Sequence, residues 1–168
     1  TSYSISGSSA ADCNSSVSAI CTVSVETTPT ISAASGAICV GNSYTLQPSG
    51  ANSYSIQGGN AIVSPTATSN YQIIGYSPNA CPSSAIITTV VVNALPQVSA
   101  SFSPSVICYG FSATPIGSGA QSYVWTGNLT NNTSKQFTAS ASHTVIGTDA
   151  NGCSNSATVA IVVNALPS

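Results

Sequence analysis

The side chains able to do chemistry are few and unevenly spread. Six cysteines lie at positions 13, 21, 39, 81, 108 and 153, with one histidine (His143), three acids (Asp12, Glu26, Asp149) and one base (Lys135). General acid–base catalysis needs paired carboxylates or a placed histidine, and nucleophilic catalysis needs a base beside the nucleophile. Asp12 and Asp149 fall at equivalent turns of different repeats, and His143 takes the place that Tyr71 holds in another repeat, so neither pattern points to catalysis. The expectation is a chain with no enzyme activity and no catalytic residues. "DANG" (149–152) could begin an oxygen-ligand calcium site, but one acid falls short and Asn-Gly favours a tight turn. Zinc would need CxxC pairs or supporting histidines, and neither is present, so no metal and no cofactor are expected.

Two chemistries remain. Repeating cysteines in small, nearly uncharged units predict a disulfide framework and an oxidising compartment. Sequons at Asn128, Asn131 and Asn132, crowded in one loop, and at Asn14 mark these residues as candidates for covalent glycans, with Ser and Thr as alternative attachment points.

The elements that position these residues come from a repeat. "VVNALP" occurs at 91–96 and again at 162–167, 71 residues later. The copy extends upstream. "ICVGNSYTLQPSGANSY" (38–54) aligns with "ICYGFSATPIGSGAQSY" (107–123), placing Cys39 over Cys108 and Tyr54 over Tyr123; further on, Cys81 aligns with Cys153. "YSISGSSAADC" (3–13) repeats the Tyr–Gly–Cys spacing of the later copies. The chain therefore divides into a partial repeat over 1–29 and full repeats over 30–96 and 97–168. Runs such as "NYQIIGY" (70–76) and "AIITTVVVN" (85–93), with "SYTLQ" (43–47) and "NSYSIQ" (52–57), alternate apolar and polar residues between turn-forming residues. That period predicts strands, and no stretch carries a helical apolar stripe. Six or seven short strands per repeat predict an all-β chain of tandem small immunoglobulin-like sandwiches with one disulfide each, preceded by a half-domain.

Charged residues make up 2% of the chain and the net charge is -2, while Ser and Thr supply about 30%. No basic patch is available to neutralise phosphates or an anionic bilayer, so neither a nucleic-acid partner nor electrostatic lipid binding is expected. The longest apolar run, around 85–92, is too short to span a membrane as a helix. Thr1 at the start and the absence of methionine fit a mature or excised polypeptide that has lost a targeting signal. The expected localisation is secreted or at the cell surface.

"ICVGNSYTL", "SNYQIIG", "DANGCSNSATVAIVV" and the "NALP" joint resemble the Ig-like or PKD-like tandem repeats of secreted Bacteroidetes-type surface proteins, including gliding-motility, adhesin-like and fibril-forming ones. The resemblance covers nearly the whole chain. It implies β-sandwich modules strung in arrays outside the cell, with no catalytic residues.

Spacing places Cys39 just before one strand and Cys81 just before the last, predicting a bridge that staples one end of the sandwich; Cys108 and Cys153 repeat the arrangement. If residues 13–21 ran as a straight strand, Cys13 and Cys21 would stand roughly 26 Å apart, so either the segment folds back at "NSS" (14–16) and they pair with each other, or one or both reach another chain. Trp125 is expected to pack in a core, with the ring of an immunoglobulin-like strand against the disulfide as the related possibility. Tyr54, Tyr71 and Tyr123 could stack on sugars, although repetition at one register favours strand packing.

Residues 1–29 would supply the last strands of a sandwich and leave an edge unpaired. One explanation is a window cut from a longer array. The other is completion by a neighbouring subunit, giving head-to-tail self-association into a homo-oligomeric filament. The runner-up to that filament is a monomeric stalk or adhesin segment with a carbohydrate or cell-surface partner.

Overall fold

The computed structural model describes residues 1–7 and 19–167. The described chain is all-β. It opens with a hairpin of β1 (Ser2–Ile5) and β2 (Ala19–Thr22), in which Tyr3 pairs with Cys21.

Next come β3 (Gly36–Cys39), β4 (Tyr44–Thr45), β5 (Ser53–Ile56), β6 (Ile62–Val63), β7 (Ser69–Tyr76) and β8 (Ile86–Asn93). They form a four-stranded sheet, β3-β8-β7-β5, and a two-stranded one, β4-β6. This first module buries Ile31, Leu46, Ile73 and Val90. Thr88 is buried with them, and its hydroxyl donates to Ala34 O at 2.8 Å, removing the cost of a lone buried polar group.

The second module contains β9 (Ser99–Ser103), β10 (Val106–Cys108), β11 (Ser112–Ser118), β12 (Ser122–Trp125), β13 (Lys135–Gln136), β14 (Ala141–Thr148) and β15 (Ser154–Asn164). Sheet β10-β15-β14-β12 lies over sheet β13-β11-β9. Between them sits a cluster of Phe102, Ile107, Ala113, Trp125, Leu129, Phe137, Val145 and Ile161. Along β11 every second residue, Ala113, Pro115 and Gly117, is buried, the alternation that a strand with one face on a core must show. The four sequence runs that alternate in this way, 43–47, 52–57, 70–76 and 85–93, cover β4, β5, all of β7 but its first residue, and β8.

One pairing sets the geometry of both modules. β3 runs parallel to β8, with Cys39 opposite Asn93, and β10 runs parallel to β15, with Cys108 opposite Asn164. The two "VVNALP" segments thus end their strands beside a cysteine of the same module.

Candidate functional site

Cys39, Cys81, Cys108, Cys153 and Asp149 lie at the ends of the two full modules. Each full module carries one cysteine at each end of its long sheet. Cys39 closes β3 beside the last residue of β8, whereas Cys81 precedes the first residue of β8. Eight strand residues at about 3.3 Å each put roughly 26 Å between those ends, far beyond the Cα separation of about 4.4–6.8 Å that a cystine tolerates. Cys108 and Cys153 are separated in the same way by the eleven residues of β15.

The expected bridges Cys39–Cys81 and Cys108–Cys153 are therefore corrected. The disulfide joins Cys39 to Cys153, with Cα atoms 5.6 Å apart across 114 residues of sequence. It links the far end of the first module to the near end of the second. The spacing argument failed because Cys39, which does precede β4, also ends β3, and the parallel pairing of β3 with β8 sends it to the opposite pole from Cys81. Cys81 is half-buried and Cys108 exposed, both as free thiols. Cys21 is a free, exposed thiol on β2; Cys13 lies outside the described residues, and its expected alternatives with it.

Each pole has a repeated local frame. At the near pole of the second module, Asp149 Oδ1 accepts from Asn151 N at 2.8 Å and Cys153 N at 2.9 Å, while Asp149 N donates to Cys153 O at 2.9 Å. The carboxylate of "DANG" thus holds the turn that presents Cys153. In the first module Ser77 does this work: its Oγ accepts from Cys81 N at 3.1 Å and its N donates to Cys81 O at 3.0 Å. At the far poles, Val40 N donates to Asn93 O and Tyr109 N to Asn164 O, at 2.9 and 2.8 Å. Among the described residues no group of three His, Cys, Asp or Glu side chains converges as a metal site would require.

The chain entering each module is seated on "SGANSY" or "SGAQSY". Gly50 and Gly119 have φ of +96° and +90°, and a Cβ there would meet Thr30 O at 2.1 Å and Gln97 O at 1.9 Å, so only glycine lets the incoming strand cross. Tyr54 and Tyr123 turn their hydroxyls back onto that seat. Tyr54 Oη accepts from Ala51 N at 2.8 Å and donates to Ala51 O; Tyr123 Oη does the same with Ala120, at 2.8 and 2.7 Å. These two rings hold the corner of a turn, which explains their common register without invoking a sugar. Asn155 Nδ2 donates to Pro96 O at 3.1 Å and ties the second joint down. At the first joint Glu26 receives hydrogen bonds from Asn79 Nδ2 and from Ser77 Oγ, beside a cleft of about 720 Å³ lined by Pro29, Gly50 and Pro78 among others.

The sequons separate on inspection. Asn131 Oδ1 accepts from Gly117 N at 2.6 Å and from Trp125 Nε1 at 3.2 Å, and its Nδ2 donates to Gly117 O. A glycan on Nδ2 would break this clamp, so Asn131 is a structural residue, one that the sequon pattern disguised. Asn128 and Asn132 are exposed, both at positive φ, and Asn14 lies outside the described residues. Trp125 packs against Phe102, ring centroids 6.0 Å apart, within the core cluster. His143 lies 5.7 Å from Phe102 and 5.8 Å from Phe137; its Nδ1 donates to Thr126 O at 3.3 Å, and Nε2 is buried without a partner.

No protein-family model matches the chain, and no curated protein matches it. Among solved structures it is similar to fibronectin(III)-like modules of Clostridium thermocellum CbhA, at 11% identity and a TM-score of 0.37, over 81% of this chain and 95% of that one. It is also similar to SGBP-B of a Bacteroides ovatus mixed-linkage glucan utilization locus, in complex with a heptasaccharide (17% identity, TM-score 0.29, 83% of this chain and 48% of that one). Cadherin domains 1–4 of protocadherin gamma B7 give 14% identity and a TM-score of 0.29, over 81% and 49% of the two chains. The chain spans about half the length of the last two. The β-sandwich assignment rests on the strand order described above and not on these similarities.

Proposed function

We propose that this chain is a non-catalytic structural subunit of an extracellular surface filament, built from Ig-like modules and joined head-to-tail by strand complementation. The observation that carries the reading is the β1–β2 hairpin. In both full modules the equivalent hairpin, β7–β8 or β14–β15, is flanked by a parallel strand on one side and an antiparallel strand on the other. The β1–β2 hairpin forms a two-stranded sheet of its own, and each of its residues is exposed, including Ile5 and Ile20. Two edges without a partner among the described residues, with apolar side chains, form a template for added strands, and a strand from a neighbouring subunit would satisfy both backbone and side chains. A head-to-tail contact of this kind does not close, so it propagates. The cystine between modules supports an oxidising, extracellular setting and a stiff array. No cofactor is required; glycans at Asn128 or Asn132 would be accessory.

The second reading, a stalk or adhesin segment of a longer repeat protein, draws on the same edge, completed by preceding residues of its own polypeptide. Negative-stain microscopy of purified chain at high concentration separates the two. Filaments are expected; particles that stay monomeric at every concentration would overturn the filament.

A further inference from the structure

We infer that Cys81 and Cys108 are the two open halves of the cystine seen between the modules, and that Cys108 of one copy of this chain pairs with Cys81 of the next. The inference rests on the filament reading and specifies its covalent link.

The Cys39–Cys153 bond defines the pairing rule, joining the far-pole cysteine of one module to the near-pole cysteine of the module after it. Cys108 is the far-pole cysteine of the second module, opposite Asn164 as Cys39 is opposite Asn93. The following turn is the same: Phe111 N donates to Cys108 O at 3.0 Å, as Asn42 N does to Cys39 O. Cys81 is the near-pole cysteine of the first module, held in the Ser77 turn as Cys153 is held in the Asp149 turn. What differs is cover. Cys153 is fully buried at the joint, whereas Cys81 is partly exposed and Cys108 exposed. Each free thiol thus sits in the backbone frame of a bonded one without a sulfur partner. Both complementary halves lie on one chain, so copies match head-to-tail. Each residue of β1 and β2 is exposed, and the segment that follows them meets the Cys81 turn through Glu26, which accepts from Ser77 Oγ and Asn79 Nδ2.

The chemistry balances with a small-molecule disulfide as oxidant. The Cys108 thiolate attacks oxidised glutathione and forms a mixed disulfide, releasing one glutathione thiol. The Cys81 thiolate of the next copy then attacks the Cys108 sulfur and releases the second, so two protein thiols are oxidised and one small disulfide is reduced.

The test uses the full chain in a glutathione redox buffer, followed by non-reducing electrophoresis and mass mapping of linked peptides. A ladder of oligomers joined by Cys81–Cys108 peptides is expected. Cys81→Ser alone and Cys108→Ser alone should each abolish the ladder, and mixing the two variants should restore dimers but nothing larger. Wild-type chain in which both thiols stay unlinked to each other, or a ladder joined through Cys108–Cys108, Cys81–Cys81 or Cys21, would overturn the inference. Microscopy of the wild type and of the double variant keeps the two readings apart: filaments from both, with no Cys81–Cys108 peptide in the wild type, overturn the inference and leave the strand-complemented filament standing, whereas a wild-type Cys81–Cys108 ladder without filaments overturns the filament and keeps the cystine.

Discussion

The two full modules agree at their ends and differ in their middles. Both seat the incoming chain on a positive-φ glycine and a tyrosine that bonds back to an alanine, and both place one cysteine at each pole. Their cores diverge because the second module has two more residues between the incoming segment and its far-pole cysteine: Ser99 to Cys108 spans nine positions, Ser32 to Cys39 seven. Those residues complete β9, which pairs along β11 over five residues, where the first module has only the isolated bridge Ser32–Ser49. They also bring in Phe102, the hub of the aromatic cluster. In the first module the ring of Tyr44 lies over Gly36, with its Oη donating to Ala34 O at 3.3 Å. The lesson is that interlocking ends constrain the repeat while its interior can be filled in more than one way.

Four substitutions would break or sharpen that contrast, and Trp125, the single tryptophan, reports on the second module alone. The largest effect is expected from Phe102→Ala, which should lower the stability of the second module by about 3 to 5 kcal/mol in denaturant titrations followed by Trp125 fluorescence. The circular-dichroism transition of the first module should stay in place. Next, Gly119→Ala and Gly50→Ala should each cost about 3 kcal/mol, since both force a Cβ into a backbone carbonyl at positive φ. Trp125 should sense the first and not the second; unequal costs would show that the two seats are not equivalent. Asn131→Ala, which leaves the Trp125 Nε1–H and Gly117 N–H without their acceptor, should destabilise the second module by about 2 kcal/mol.

Much of this architecture was legible in the repeat itself. Alternation marks β4, β5, β7 and β8, and the alignment of Tyr54 with Tyr123 marks a structural register, although its purpose, a hydroxyl closing its own turn, shows only in the fold. Spacing misplaces the cystine because it carries no information on strand direction. Cys39 both ends β3 and precedes β4, and only the parallel register of β3 with β8 shows which pole it occupies. Asn131 was hidden for another reason. Its sequon matches those of Asn128 and Asn132, and the one hint of a different role was its place six residues after a buried tryptophan. The aromatic stack around His143 comes from residues 41 positions apart in the chain, Phe102 and His143, which no local period connects.

The central claim is that the cystine joins successive modules and not the two ends of one. Chymotryptic mapping of the alkylated, unreduced protein tests it directly. The account predicts a linked pair of peptides containing Cys39 and Cys153; Cys39 linked to Cys81, with Cys108 linked to Cys153, would contradict it.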